Sequence, residues 1–229
     1  MHLGKGLLAA SALGALLVSA PARGQLVETS ITPTGDMNWS ATAGRTVGSD
    51  NSVIQVEAGW PGIGFTYLKG LDDLSDLGFH VGFNYGFEGT TSNVVGLNLS
   101  VPYRRTIANL SSGSAIALRA DPGAVLYGNN NKGGAMVGIG GPIGIVAGFK
   151  LDPRLTLDVG ADVPVLITFA NPTGLLFGPQ FGAGGEYLID RNLAVTLRAR
   201  VGPEFSLASG GSTSQTAFTT LIGLAYNAR

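Results

Sequence analysis

"LGFHVGFNYGF", residues 77–87, places Leu77, Phe79, Val81, Phe83, Tyr85 and Phe87 at the odd positions, with Gly78, His80, Gly82, Asn84 and Gly86 between them. Strict period two over this length spells a β-strand with two unlike faces, one large and apolar, the other small or polar. Whether the apolar face points into the protein or away from it decides the fold.

The same alternation recurs along most of the chain. "SVIQVEAGWPGIGFTYLKG" (52–70) alternates, slips register at Trp60-Pro61-Gly62 and resumes, so a bulge or a tight turn is expected there. "NVVGLNLSVPYRR" (93–105), "SAIALRAD" (114–121), "RLTLDVGADVPVLITF" (154–169), "LFGPQFGAGGEYLID" (176–190), "LAVTLRARVGPEF" (193–205) and the closing "AFTTLIGLAYNAR" follow the same rule. The uncharged run 133–149 has seven glycines and Pro142, each costing a helix roughly 1 and 3 kcal/mol respectively, so it also reads as strand. "MNWSATAGRTV" (37–47) alternates most weakly, with Trp39, Ala41 and Ala43 on one side.

"DPR" (152–154) and "DRN" (190–192) read as tight turns, while 120–134 and 207–216 read as long polar loops, which describes an up-and-down antiparallel sheet with unequal rims. Ten strands result in either of two ways. Either 37–47 pairs first and 52–70 is one kinked strand, or 37–47 is a loop and 52–70 is a hairpin. Pro/Gly interruptions at 122–123, 140–142 and 164 leave eight and twelve as alternatives.

Composition separates two kinds of closed barrel. Charged residues make up 13% of the chain against roughly 25% in soluble domains, and the 36 glycines are about double the usual share. A barrel that carries ligands in water would turn its apolar face inward and coat the other with Lys, Glu and Arg. Here the non-apolar face of 77–87 is Gly, His and Asn. Elsewhere that face carries Arg104, Arg119, Lys150, Arg198 and Arg200 against Asp121, Asp158, Asp162, Glu186 and Glu204. Balanced signs suit an enclosed lumen, because an unpartnered buried charge costs several kcal/mol. The opposite, aliphatic and aromatic face exceeds what soluble monomers leave in water. Lipid removes that penalty, and it demands a closed wall. The expectation is an all-β, up-and-down antiparallel transmembrane β-barrel of ten strands, with the odd positions of 77–87 facing lipid. Trp39, Trp60, Tyr67, Phe87, Tyr103, Phe149, Phe169, Tyr187 and Tyr226 would then form interfacial girdles.

His2 and Lys5 precede the apolar run Leu7–Ala20, and Ala20-Pro21-Ala22 supplies a small-residue exit. Together they predict a cleaved secretory signal peptide (1–22), a polar lead (23–36) and a barrel domain (37–229). There is no cysteine, so a disulfide framework is excluded. Net charge near −1 argues against a nucleic-acid partner.

Signal peptide, Cys-free chain, Gly-rich alternating strands and a terminal amphipathic strand together resemble a small Gram-negative outer-membrane β-barrel of the OmpA/OmpX/OmpW-like type. The resemblance covers the whole mature chain and is architectural. It implies an outer-membrane location, contact with outer-membrane lipid and lipopolysaccharide, and insertion by the barrel-assembly machinery. The last strand of such barrels usually ends in an aromatic residue, whereas this chain ends Tyr226-Asn227-Ala228-Arg229.

No catalytic, metal or cofactor set emerges. His80 is the single histidine beyond the signal peptide, too few for a His/Cys metal site. "LDDLSD" (71–76) lacks the glycine turn and spacing of a calcium loop and reads as a solvated turn. "GIGGPIG" (138–144) lacks the Lys-Ser/Thr of a phosphate loop, so no nucleotide is expected. The ten lumenal charges named above remain as a candidate network, holding a narrow barrel together or lining a polar path. The expected function is therefore a structural or narrow-pore outer-membrane barrel that is not an enzyme, with loops 120–134 and 207–216 free for recognition. Two alternatives are an outer-membrane enzyme acting on lipid or peptide near His80, and a soluble secreted ligand-binding barrel.

Overall fold

The computed structural model describes residues 39–87, 94–110, 113–129, 134–169, 173–208 and 211–228; the predicted signal peptide, the whole polar lead and the first two residues of the predicted barrel domain lie outside them. Thirteen strand segments follow one another: β1 (Ser52–Trp60), β2 (Gly62–Gly70), β3 (Ser75–Asn84), β4 (Val94–Ser100), β5 (Tyr103–Asn109), β6 (Ala115–Ala120), β7 (Gly123–Asn129), β8 (Gly134–Lys150), β9 (Leu155–Thr168), β10 (Gly174–Phe177), β11 (Gln180–Leu188), β12 (Leu193–Ala208) and β13 (Gly211–Ala228). All pairings are antiparallel. The sheet closes on itself, since β13 pairs with β1 and β8 with β9.

The segments make ten walls. β4 and β5 are two halves of one wall beside β3, β6 and β7 two halves of one wall beside β8, and β10 and β11 two halves of one wall between β9 and β12. Proline causes the breaks. It lacks the N–H that a ladder needs. Pro102, Pro122, Pro142, Pro164, Pro179 and Pro203 sit one in each of six successive walls. They neighbour one another around the barrel. Val101 N–H donates to Pro122 O at 2.9 Å, Asp121 N–H to Pro142 O at 2.9 Å, and Pro142 lies opposite Pro164. Beside them Gly140 and Gly141 adopt φ of 154° and 156°, and a Cβ on Gly141 would lie 1.9 Å from Asp121 O. Of the interruptions anticipated, that at 122–123 divides a wall into β6 and β7, those at 140–142 and 164 leave β8 and β9 continuous, and none adds a wall.

Three turns at one end share a device. Asp72, Asp152 and Asp190 each turn Oδ1 back to accept a main-chain N–H two residues on, at 2.7, 2.6 and 2.7 Å, as Asp does in turns. Hydrogen bonds from Ser75 and Leu74 hold the exposed Asp72 carboxyl below the usual carboxylate range. Its contribution to the turn is therefore present at neutral pH and fades as acid protonates it.

Several expectations need correction. The choice for 52–70 resolves as a hairpin, Ala58 facing Ile63 across Trp60-Pro61. Residues 39–47 form no strand. They enter the barrel at the turn end, and Trp39, assigned to an outer girdle, is buried with its indole N–H donated to Arg191 O at 3.0 Å. Much of each expected long loop is wall: β7 occupies 123–129, and β12 and β13 remain paired up to Ala208 and Gly211. The stretches 120–134 and 207–216 are therefore largely strand where they are described, not loop. "LDDLSD" is only partly a solvated turn, because Asp76 is fully buried.

Burial is inside out. Leu77, Phe79, Val81, Phe83 and Tyr85 are 40–48% exposed, and large apolar side chains on every wall share that outward face. The buried side is polar and small: Glu57, Asp76, Asp158, Asp162, Gln180 and Glu186 are among its members. Among the described residues, the apolar core cluster lies inside the turn end, where Trp39, Ala41 and Val47 meet Val53, Leu68, Leu188, Ala194 and Ala225.

Candidate functional site: a plugged, charged lumen

Strand alternation sends every second residue inward, so the lumen is furnished by positions the pattern fixes. Three levels follow from the turn end upward.

At the bottom, residues 40–47 are tied down through their main chain. Glu186 Oε1, on β11, accepts the Ala41 N–H at 2.8 Å, the Thr42 N–H at 2.6 Å and the Thr42 hydroxyl at 3.0 Å. Arg104, on β5, donates to Ser40 O and Ala43 O, each at 2.8 Å. The same guanidinium grips Asp76 on β3 through Nε at 2.9 Å and Nη2 at 2.5 Å. Asp76 uses its other oxygen to accept the Val47 N–H at 3.0 Å. Thr106 donates to Gly44 O at 2.9 Å. A Cβ on Gly44 would stand 2.0 Å from Ala115 O, so only glycine lets this segment lie against the wall. Charged hydrogen bonds of this kind are roughly twice as strong as neutral ones. The segment is a plug.

Above it lies a cavity of about 280 Å³. Arg198 on β12 forks onto Glu57 on β1, with Nε–Oε1 at 3.0 Å and Nη2–Oε2 at 2.5 Å. Asp162 on β9 accepts from Arg119 on β6 and from Arg200 on β12, the latter at 3.0 Å. Each contact bridges one intervening wall: β13 between β12 and β1, β8 between β6 and β9, and the β10/β11 wall between β9 and β12. Asp158 faces the plug, its Oδ2 accepting from the Thr42 hydroxyl at 3.4 Å. Asp121 lines the cavity. His80 lies flat over two glycines, since Cβ atoms on Gly64 and Gly82 would meet its ring at 2.7 and 3.0 Å, and its Nδ1 is 2.8 Å from Thr66 Oγ1. At the top, Asn84 Nδ2 donates to Tyr127 Oη at 2.5 Å, and Gln215 donates to Glu204 at 2.6 Å.

Of the ten expected charges, the structure gathers Arg119, Asp158, Asp162, Arg198 and Arg200 around the middle cavity, together with Asp121. Arg104 and Glu186 hold the plug instead. Glu204 sits higher, and Lys150 lies at the turn-end rim in a small recess with Arg45 and Gly113. Glu57 and Asp76 stand outside the ten expected charges, Asp76 falling in the stretch 71–76 that reads as a solvated turn. Each occupies an inward position of its strand, Glu57 after the outward Val56 and Asp76 before the outward Leu77, so alternation alone would have found both. Among the described residues, no group of three or more His, Asp or Glu side chains is placed to hold a metal ion.

No protein-family model and no curated protein matches this chain. Among solved structures, a chain from "De novo design of transmembrane beta-barrels" is similar with a TM-score of 0.33 and 18% identity, over 79% of this chain and 97% of that one.

Proposed function

We propose that this protein is an integral outer-membrane β-barrel whose lumen is sealed by its own residues 39–47, a structural wall that does not conduct at rest. The observation that carries the reading is the inversion of burial: an apolar outer surface on every wall around a charged, hydrogen-bonded interior. Water would penalise that exterior at roughly 25 cal/mol for each Å², whereas acyl chains match it, and a closed sheet leaves no wall unpaired in lipid. The partners this implies are outer-membrane lipid and lipopolysaccharide, with assembly machinery acting during insertion. The plug favours a sealed lumen over a narrow pore, because Glu186 and Arg104 fill the turn end with main chain.

Planar-bilayer recording tests this. Wild type is expected to stay silent. Gly44→Val, which drives a side chain into the Ala115 carbonyl, is expected to unseat the plug and give discrete current steps. Steady steps from wild type, or silence from a correctly folded Gly44→Val, would overturn the seal.

A further inference from the structure

β13 is paired unequally on its two sides. Toward β12 it is matched along its whole length, from Gly211↔Ala208 to Tyr226↔Leu193. Toward β1 the pairing runs only from Thr220↔Trp60 to Ala228↔Ser52. There β1 ends, the chain turns at Pro61 and β2 descends, so Gly211–Thr219 present one edge that no described strand covers. Beyond β3, Phe87 packs edge-on against Tyr127 of β7 at 5.1 Å. The floor is firm. Trp60 stacks on Phe218 at 5.8 Å and meets Tyr85 edge-on at 6.1 Å, and the Tyr85 hydroxyl donates to Gly59 O.

This edge stands in water rather than lipid. Above Phe218 the outward residues of β13 are Thr216, Ser214 and Ser212, all exposed hydroxyls, and hydrocarbon would not tolerate a row of unpaired peptide groups. Natural edges in water are usually guarded by Lys, Pro or a bulge. "GSTSQTAFT" (211–219) holds no charge and no proline, and its register with β12 is unbroken.

We propose that Gly211–Thr219 is a docking edge for one extended, uncharged segment of another polypeptide, added antiparallel to β13 in the place where β1 would continue. A row of unpaired N–H and C=O groups is complementary to another strand, and strand addition uses the main chain for affinity. A second copy of this barrel does not fit. Two copies in one bilayer are related about the membrane normal, so strands tilted by about 40° cross at about 80° and cannot form a ladder. The inference holds whether or not the lumen conducts.

Hydrogen–deuterium exchange on the full chain in micelles is the test, with a nine-residue alternating Thr/Val peptide at millimolar concentration as the probe. Without peptide, alternate amides of 211–219 should exchange fast while 220–228 stay protected by β1. With peptide, the fast amides should slow at least tenfold. Ser214→Lys with Thr216→Lys, both at exposed positions, should abolish that slowing and leave 220–228 unchanged. Uniform protection of 211–219 before peptide is added, no slowing with it, or protection that instead tracks protein self-association would overturn the proposal.

Discussion

Arg104→Ala should lower the stability of the barrel by about 3–5 kcal/mol, the usual cost of leaving one member of a buried ion pair behind. Asp76, with its side chain fully buried, would keep a charge and lose the guanidinium that holds it. The damage reaches further than the pair. Arg104 also donates to Ser40 O and Ala43 O, and Asp76 accepts from Val47, so one side chain links the wall to both ends of the plug. The variant should therefore unfold earlier in denaturant and also conduct in a bilayer. A double variant separates the two effects. Arg104→Met with Asp76→Leu removes both charges, and such replacement of a buried pair by apolar groups is often neutral. Its stability should return toward wild type while current steps persist, because the plug carbonyls still lack donors. If the double variant is silent, Arg104 serves only the wall.

Val159→Arg should be nearly as costly for a different reason. Val159 points outward from β9, 49% exposed, between Ala147 and Ala183. In water a surface substitution of this kind usually changes stability by less than about 0.5 kcal/mol. Facing the middle of a bilayer, an arginine costs about 2–4 kcal/mol. Denaturant unfolding in phospholipid vesicles reads the difference. A loss near 2 kcal/mol or more is expected, and an unchanged midpoint would place that face outside hydrocarbon.

Alternation carried most of the fold. In 77–87 it set both conformation and side, because in a closed sheet a residue's parity decides whether it meets lumen or surroundings, and ten walls follow from repeating that rule. It failed where local pattern does not name the neighbour. Trp39, Ala41 and Ala43 look like one side of a strand, yet the same spacing lets an irregular segment bury apolar groups against Val53 and Leu188 while its peptide groups bond Glu186 and Arg104. The polar 207–216 looked like a loop because turns and wet strands share residue types. Ser212 and Ser214 instead pair with Leu207 and Phe205 in a wall extending beyond the apolar belt. Alternation named the inward positions of Arg104, Arg119, Asp158, Asp162, Glu186, Arg198 and Arg200, but not their division between plug and cavity. That depends on which strand faces which across the barrel, a relation no single strand encodes.

The most direct test uses the absence of cysteine: single cysteines are placed in turn from Thr156 to Val163 and spin-labelled in phospholipid vesicles. Collision rates are then measured with oxygen, which concentrates in acyl chains, and with a water-soluble nickel chelate. High oxygen and low nickel access at 157, 159, 161 and 163, absent at the positions between, is the predicted result. Nickel access at those odd positions equal to that of a surface turn would contradict it.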